Sequence, residues 1–361
     1  MNYQLLELLT CPLTKKNLRF ELISEFEKTY ETHSATEIKE GILFSDTGLV
    51  FPIIDGIPRM LIEAHQDYAD WFETHLKDFS SIKKEIAAKY QGLIQHCSAK
   101  NYKTKKSFAF EWSLLNYEKQ DKIWHDDKAA LVKLFFNESK ENEDTLRGKK
   151  IIDVGSGHGM NARAIAPYCD VVVGVELGKS VENAYKNNTR ENVFFVQADL
   201  QFLPFGDGSF DVLLSGGVLH HTENTELAFC NVETTLKPAG KLCIWLYHPQ
   251  KSIIHNLLNS TRKLTSKLPI RLQFYLYLLS IFPLTYTFKR LKGSKINWRE
   301  EMIDLLDMLS PVFRHEHRHS EAASWMLKRG YDAIEVTTQG QFGFSIIGTK
   351  NNDASQASTS K

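Results

Sequence analysis

The sequence lacks the cysteine pairs that thiolate metal sites and disulfide scaffolds need. It has five cysteines in 361 residues, and no two of them form a C-x-x-C pair. Scattered thiols exclude a metal site built from four thiolates and indicate a reduced, cytoplasmic protein. The first residues also lack a basic segment followed by an apolar one, so we expect no signal peptide.

Long apolar runs and a net charge are also missing. The apolar run at residues 270–282 is too short for a membrane span and contains Arg271 and Gln273. The 44 basic and 44 acidic residues cancel, but they are unevenly spread. Residues 1–80 carry twice as many acids as bases, whereas residues 251–299 carry ten Lys or Arg and no acid. This asymmetry is more informative than the net charge.

A glycine-rich turn between an apolar strand and a helix is the most informative feature that is present. Gly155, Gly157 and Gly159 surround Ser156 in this turn. Glycine has no Cβ, so the backbone can take a positive φ and approach a ligand closely. The helix predicted for residues 160–167 points its free N–H groups at the turn. The pattern predicts a site for a pyrophosphate or an amino-acid carboxylate.

Two residues favour the amino acid over the pyrophosphate. Met160 stands where the dinucleotide fingerprint G-x-G-x-x-G has its third glycine. Asp153 precedes the turn, and its carboxylate would repel a pyrophosphate but attract the cationic amino end of an amino-acid ligand. An NAD-binding turn and a turn that binds nothing are the alternatives.

Further motifs follow the turn in order. The run Val171–Glu176 predicts a buried strand that ends in an acid, about 20 residues past the glycines, where an acid can bridge ribose hydroxyls. The next strand leads to Asp199. The segment L-P-F-G-D-G-S-F-D at 203–211 precedes a strand that ends at Ser215, and L-K-P-A-G-K-L at 236–242 begins another.

Together these motifs resemble the class I S-adenosylmethionine (SAM) methyltransferases, of the type 11 kind. The resemblance implies an α/β, Rossmann-like sheet of seven strands with helices on both faces, and SAM as cofactor. Asp153 and the glycine turn would hold the methionine end of SAM, Glu176 the ribose and Asp199 the adenine. The complete set of expected cofactor-binding residues is Asp153, Gly155, Ser156, Gly157, Gly159, Glu176, Leu177, Asp199, Leu200 and Ser215.

The resemblance is strong over the core and weaker at the flanks, which predicts additions to the fold. The expected parts are a small N-terminal α+β domain (1–62), a helical connecting segment that covers the cofactor (63–147), the SAM-binding core (148–250), a basic and apolar helical cap (251–300), the C-terminal completion of the core (301–350) and a disordered tail (351–361). A final antiparallel strand would close the sheet.

Two segments of the N-terminal domain carry a second resemblance. L-L-E-L-L-T-C-P-L at 5–13 and G-L-V-F-P-I-I-D-G-I-P at 48–58 resemble the two ends of the zinc-ribbon-like domain that activates some tRNA and protein methyltransferases. Metal-binding members carry two cysteine pairs, whereas here the four positions hold Cys11, Thr14, Phe44 and Thr47. One thiolate cannot hold zinc, so we expect a metal-free domain with a structural or regulatory role, or an inert appendage.

The cap segment allows several interpretations. Its apolar centre is flanked by basic residues, which suits a lid over the active site. The same composition suits an anionic membrane surface. A buried helical pair with a solvated basic rim is the plainer alternative. Basic residues also allow contact with nucleic acid, although they do not single it out.

An aromatic segment precedes the glycine turn. Phe108, Phe110 and Trp112 resemble a segment found in bacterial methyltransferases that carry the same N-terminal domain. Such a segment covers the cofactor in many class I enzymes. Burial of these aromatic side chains against the sheet explains the pattern equally well.

Catalytic candidates lie where the fourth and fifth strands of the core end. They are His220, His221, Tyr247 and His248. Histidine can take a proton near neutral pH, but a histidine pair also resembles the G-V-L-H-H segment of small-molecule methyltransferases, where it often serves shape. A second cluster offers substrate contacts: Asp304, Asp307, His315, His317 and His319. No metal site is expected.

The sequence therefore predicts a SAM-dependent methyltransferase that works by in-line displacement on a small-molecule, glycan or lipid-linked acceptor. The protein holds methyl group and nucleophile in line, and a base is needed only for a protonated acceptor. The alternatives are an RNA methyltransferase, an NAD-dependent oxidoreductase and a non-catalytic binding partner. We expect a cytoplasmic protein, with peripheral membrane contact through residues 251–300 as one arrangement.

Overall fold

A computed structural model describes residues 1–114 and 128–352 and contains two β-sheets. The smaller sheet is antiparallel and N-terminal, and it follows a short helix. Its elements are α1 (Tyr3–Leu8), β1 (Arg19–Thr29), β2 (Ser34–Phe44), β3 (Val50–Ile54) and β4 (Ile57–Pro58).

The larger sheet has seven strands in the order β10-β11-β9-β8-β5-β6-β7. The strands are β5 (Lys150–Val154), β6 (Val171–Glu176), β7 (Val193–Gln197), β8 (Phe210–Gly216), β9 (Leu236–Tyr247), β10 (Tyr331–Gln339) and β11 (Gly343–Lys350). Strands β5 to β9 pair in parallel, and β11 runs antiparallel to both β9 and β10. The prediction of a seven-stranded Rossmann-like sheet with a small N-terminal sheet domain is therefore confirmed.

Helices connect and cover the strands. Before the core lie α2 (Ala64–Asp67), α3 (Ala69–His75), α4 (Phe79–Ser113), α5 (Lys128–Ser139) and α6 (Glu143–Leu146). Within the core lie α7 (Met160–Ile165), α8 (Ser180–Lys186) and α9 (Thr225–Glu233). The segment after β9 contains α10 (Ile253–Thr265), α11 (Ile270–Leu279), α12 (Phe282–Leu291) and α13 (Trp298–Leu309), and α14 (His319–Lys328) precedes the final hairpin.

The large sheet is covered on both faces, because successive residues of its central strands point to opposite sides. All six residues of β6 are buried. Val171 and Val173 belong to one apolar cluster, which includes side chains of α4, α9 and α14. Val172 belongs to a second cluster, which includes side chains of α5, α7 and α8. Burial on both faces explains why these strands read as continuous apolar runs.

The order of the strands places the site. In the sheet, β6 lies on one side of β5 and β8 lies on the other. The direction in which successive strands are added therefore reverses at β5. In open α/β sheets, ligands bind at the carboxyl ends of the strands beside such a reversal. The glycine turn that follows β5 lies at this point.

The N-terminal domain docks against β7, which would otherwise be an exposed edge strand. The Met60 amide donates to the carbonyl oxygen of Gln197 at 2.7 Å, and the Thr10 amide donates to that of Pro204 at 2.9 Å. The Arg59 guanidinium donates to Gln197 Oε1 at 3.3 Å and to Glu182 Oε1 at 3.1 Å. These contacts extend the large sheet and remove its free edge.

Hydrogen bonds occupy the positions where related domains hold zinc. Cys11 Sγ lies 3.9 Å from Thr47 Oγ1, and Thr14 Oγ1 donates to Asp46 Oδ1 at 2.7 Å. In residues 1–114 and 128–352, no cluster of three or more histidine, cysteine or acidic side chains is placed to hold a metal ion.

The helices after β9 pack around α13, whose inward side chains form a core of their own. Tyr277 of α11 is fully buried there with Met302, Leu306 and Leu309. Its hydroxyl donates to Thr265 Oγ1 at 2.7 Å. The apolar run of the sequence is divided between α11 and α12. Among the described helices, none has the length and apolar content that a bilayer-spanning helix requires.

One prediction from the sequence is wrong, and two others concern parts of the chain outside the described residues. The sequence pattern of residues 319–329 predicts a helix with Trp325 and Leu327 inward. Leu327 is instead exposed, because the buried positions of α14 are Ala322, Trp325 and Met326. Residues 353–361 of the predicted tail (351–361) lie outside the described residues. The side chain of Trp112 lies outside them as well.

Replacing Arg59 by alanine should loosen the N-terminal domain. The change removes the hydrogen bonds of a buried guanidinium to Gln197 and Glu182 together with its packing, so we expect a loss of about 1–3 kcal/mol in unfolding free energy. Chemical denaturation measures this loss. Arg147→Ala is the matched control, because the ion pair of Arg147 with Asp144 is exposed and its loss should cost less than about 0.5 kcal/mol. Equal losses in the two variants would contradict the docking account.

Candidate active site

The glycine turn needs its glycines for two separate reasons. Gly155, Gly157 and Gly159 have φ values of 81°, 56° and 74°, in the left-handed region. A Cβ at Gly155 would lie 2.2 Å from Val218 Cγ2, and one at Gly159 would lie 2.3 Å from Phe195 Cζ. The turn is therefore packed tightly between the end of β8 and the side chains of β7.

Asp153 occupies the carboxyl end of β5, directly before this turn. Its side chain is nearly inaccessible, with 4% of the residue exposed. Within the described residues, its Oδ2 atom has no hydrogen-bond partner. Burial, and then the neighbouring Glu176 carboxylate, raise the pKa of Asp153 to about 7. A buried carboxylate without a partner is costly, so this position is suited to a cationic ligand group.

Glu176, at the end of β6, holds the turn in place. Its Oε2 accepts a hydrogen bond from the Gly157 amide at 3.0 Å, and its Oε1 accepts one from the Gly178 amide at 2.8 Å. Burial nevertheless raises the pKa of Glu176. The carbonyl oxygen of the next residue, Leu177, accepts from Gln197 Nε2 at 3.0 Å.

Asp199 has protein partners that the sequence did not reveal. Lys100 Nζ of α4 lies 2.6 Å from Asp199 Oδ2, and Asn101 Nδ2 donates to the same oxygen at 3.2 Å. Its Oδ1 accepts from the Gln201 amide at 2.9 Å at the start of a 3-10 turn, Leu200–Phe202. The Asp199 carboxylate, which was expected to bind the adenine, is therefore hydrogen-bonded to two side chains of α4.

The C-terminal half of α4 crosses the carboxyl edge of the sheet. Lys105 Nζ is 2.7 Å from Glu63 Oε1, and the ring of Phe108 contacts that of His221 at 5.7 Å between centroids. Phe110 contacts Phe274 of α11 at 5.5 Å. The aromatic segment therefore lies between the core and the helices after β9.

Ser215, the last of the expected cofactor residues, ends β8 beside β5. Its hydroxyl donates to the Val154 carbonyl oxygen at 3.1 Å. It lines a cavity of about 60 Å³ together with Asp153, Asn161 and Trp245. Ser156 lies in the turn itself, and its hydroxyl is buried without a hydrogen-bond partner among the described residues.

His221, Tyr247 and Asp307 meet in the structure, although 60 residues separate the last two. Tyr247 Oη donates to Asp307 Oδ2 at 2.5 Å, and Asp307 Oδ1 lies 3.7 Å from His221 Nε2. His221 Nδ1 is 2.9 Å from the Phe313 carbonyl oxygen. Burial lowers the pKa of His221, and the Asp307 carboxylate opposes that effect. The Arg314 guanidinium lies 3.9 Å above the Tyr247 ring.

The other two catalytic candidates have different surroundings. His220 is fully buried in an aromatic layer, 4.4 Å from the Tyr247 ring and 5.7 Å from the Trp245 ring between centroids. Burial lowers the pKa of His220 well below its usual range. His248 does not join the group, because its ring faces the final hairpin, with Nε2 3.2 Å from the Gly340 carbonyl oxygen.

In the second cluster, His315 and His317 hold the segment after α13 against the core through hydrogen bonds. The His315 amide donates to the His220 carbonyl oxygen at 2.9 Å, and the His317 amide donates to that of Tyr247 at 2.8 Å. Their Nε2 atoms lie 2.9 Å from Thr222 O and from Thr225 Oγ1. His319 packs on Phe344, and Asp304 faces Lys289 at 3.2 Å. Of that cluster, Asp307 is the member that reaches the candidate site.

Residues 152–244 match the family described as "Methyltransferase domain". Residues 2–56 match the family described as "Trm112p-like protein". Both matches agree with the resemblances found in the motifs.

Curated relatives match part of this chain. The ubiquinone biosynthesis O-methyltransferase of Coxiella burnetii is 30% identical over 105 residues, which are 28% of this chain and 45% of the relative. The 27-O-demethylrifamycin SV methyltransferase of Amycolatopsis mediterranei is 34% identical over 130 residues, which are 34% and 48%. The chain thus spans less than half the length of each of these relatives.

A solved complex of the Haloferax volcanii Trm112 methyltransferase activator with a methyltransferase is also similar. The similarity covers 62% of this chain and 93% of that chain, with 12% identity and a TM-score of 0.38.

Replacing Asp153 by asparagine should change how stability depends on pH. The pKa of Asp153 is about 7 in the folded protein and near 4 in an unfolded chain, so the folded protein binds this proton more tightly. Stability is therefore lost as pH rises from about 4 through 7. Asparagine cannot ionise, so the variant should exceed the wild type at pH 8 by up to about 4 kcal/mol and match it near pH 4.

Denaturant unfolding at both pH values measures this difference. Asp170→Asn removes an exposed carboxylate of the same domain and serves as the control, with no gain at pH 8. An Asp153→Asn variant that gains no stability at pH 8 would contradict the burial account.

Proposed function

We propose that the protein is a SAM-dependent methyltransferase that methylates a hydroxyl group of a small-molecule, glycan or lipid-linked acceptor. The observation that carries the proposal is the buried Asp153 carboxylate, which has no partner in the described residues and stands at the edge where the sheet order reverses. The match of residues 152–244 to a methyltransferase domain supports it.

The residues at this edge fit SAM. Its amino group is a cation that can pair with Asp153, and the hydroxyl of Ser156, buried without a partner in the described residues, can serve its polar methionine end. Glu176 has the carboxylate needed for ribose hydroxyls, and Asp199 the acceptor needed for an adenine amino group. Bound SAM would supply a methyl group already activated on a sulfonium sulfur. The protein then has to orient the acceptor and exclude water.

In this proposal, His221 takes the proton of the acceptor hydroxyl. If Nδ1–H donates to the Phe313 carbonyl oxygen, Nε2 keeps its lone pair. A lowered pKa keeps the ring neutral and able to accept at physiological pH. Once Nε2 holds the proton, the Asp307 carboxylate at 3.7 Å stabilises the resulting charge. Tyr247 fixes that carboxylate through its hydroxyl.

The names of the relatives favour an oxygen acceptor. Curated relatives from two organisms, Coxiella burnetii and Aspergillus nomiae, have O-methyltransferase in their names. A neutral histidine nitrogen beside a carboxylate suits a hydroxyl acceptor that has to lose its proton. The cytoplasmic location stays a prediction from the sequence.

Methyl transfer should depend on His221 and Asp307. With labelled SAM and fractionated extract as acceptor, His221→Asn should lower kcat roughly 10²–10⁴-fold, because the proton then lacks an acceptor. Asp307→Asn should lower it less and shift the pH profile, since His221 would lose its stabilising charge. Binding of SAM, followed by calorimetry, should change less than about twofold in both variants.

His248→Asn is the matched control, because that ring faces the final hairpin and not the site. Transfer by the His221 variant at the rate of the control would remove the proposed base. Protection of the wild type against thermal unfolding by NADH but not by SAM would replace the whole proposal with the oxidoreductase alternative.

A further inference from the structure

Three helices after β9 expose apolar stripes to solvent. We define the cap face as the exposed sides of α10, α11 and α12. On α11 the exposed positions are Leu272, Tyr275, Leu276 and Leu279. They follow the spacing i, i+3, i+4 and i+7, which places them on one side of a helix. The buried positions Gln273 and Tyr277 lie on the other side of the helix. Because Phe274 and Leu278 pack against the core that contains Tyr277, α11 is apolar on its inner and its outer side.

The neighbouring helices repeat this pattern. On α10, Ile253, Leu257 and Leu264 are exposed at the spacing i, i+4 and i+11. On α12, Leu284, Phe288 and Leu291 are exposed at the spacing i, i+4 and i+7. All three helices pack against α13, so their exposed stripes point away from that shared core. Ten large apolar side chains on adjacent helices exceed the scattered exposure that is normal for a soluble surface.

The charge of the cap face has one sign. Residues 251–299 contain ten Lys or Arg and no acidic residue. Seven of these basic residues are exposed: Lys251, Lys263, Lys267, Arg271, Arg290, Lys292 and Lys295. The nearby acids are already engaged, since Glu301 pairs with Lys289 and Glu316 pairs with His255 and Arg314. The face therefore presents apolar side chains within an uncompensated basic rim.

We propose that the cap face docks peripherally on an anionic lipid bilayer. Apolar side chains enter the boundary between headgroups and acyl chains, and lysine and arginine attract anionic headgroups. A second copy of the chain fits less well, because it would bring two basic rims together. A nucleic acid would use the basic residues but would leave the apolar stripes in water. A bilayer satisfies both features at once.

The first test compares two pairs of variants with matched exposure. Leu257→Ser/Leu272→Ser removes cap side chains that are 65% and 52% exposed, and Leu327→Ser/Leu227→Ser removes side chains elsewhere that are 65% and 51% exposed. Flotation with vesicles of equal parts phosphatidylcholine and phosphatidylglycerol measures partitioning of the full chain. The cap pair should bind at least about tenfold more weakly than wild type, and the control pair should bind like wild type.

The second test concerns charge. Lys263→Gln/Lys267→Gln/Arg271→Gln should remove the preference for phosphatidylglycerol over pure phosphatidylcholine vesicles. Lys77→Gln/Lys84→Gln/Lys133→Gln removes exposed lysines outside the cap face and should keep that preference. Equal unfolding midpoints show that all variants fold. None of these residues belongs to the proposed active site, so SAM binding should be unchanged in every variant.

Several outcomes would overturn the proposal. The proposal is wrong if the wild-type protein does not float with the vesicles. It is also wrong if the Leu257→Ser/Leu272→Ser variant binds vesicles as well as the control variant does. If sedimentation shows that the wild type is a dimer and that only the Leu257→Ser/Leu272→Ser variant is a monomer, the cap face binds a second copy of the chain. Salt-sensitive binding to RNA without binding to vesicles would assign it to nucleic acid.

Discussion

Two buried carboxylates at the carboxyl edge of one sheet are the constraint on which the rest of the structure depends. Asp153 and Glu176 end adjacent parallel strands, and burial raises the pKa of both. Glu176 accepts hydrogen bonds from the Gly157 amide of the glycine turn and from the Gly178 amide, which ties the turn to the end of β6. Asp153 keeps an oxygen that no described group satisfies. A cationic ligand removes this electrostatic cost, and the helices that cover the edge keep water from doing so.

The sequence predicted what depends on short spacing. A strand, a glycine turn and a helix follow one another within a few residues, so Asp153, Gly155 and Glu176 could be placed from local physics. Contacts between distant segments could not be placed. Lys100 reaches Asp199 from a long helix whose pattern carries no sign of that pairing. Asp307 was one acid among several candidates, and only the packing of α13 brings it to Tyr247.

Two additions to the core act on different sides of it. The N-terminal domain covers the edge at β7 through backbone hydrogen bonds and a β-bridge. The helices after β9 pack around α13 and contact the aromatic segment of α4. Their outer surface is apolar and basic, which suits an enzyme that meets its acceptor at a lipid boundary.

The pKa of the Asp153 carboxyl tests the central claim most directly. Carbon NMR of protein labelled at the aspartate carboxyl carbon, with Asp153→Asn for assignment, follows this one group with and without saturating SAM. The account predicts a pKa near 7 in the free protein, which falls to about 4 or below when the cationic ligand binds. A pKa near 4 in the free protein, or one that SAM leaves unchanged, would contradict it.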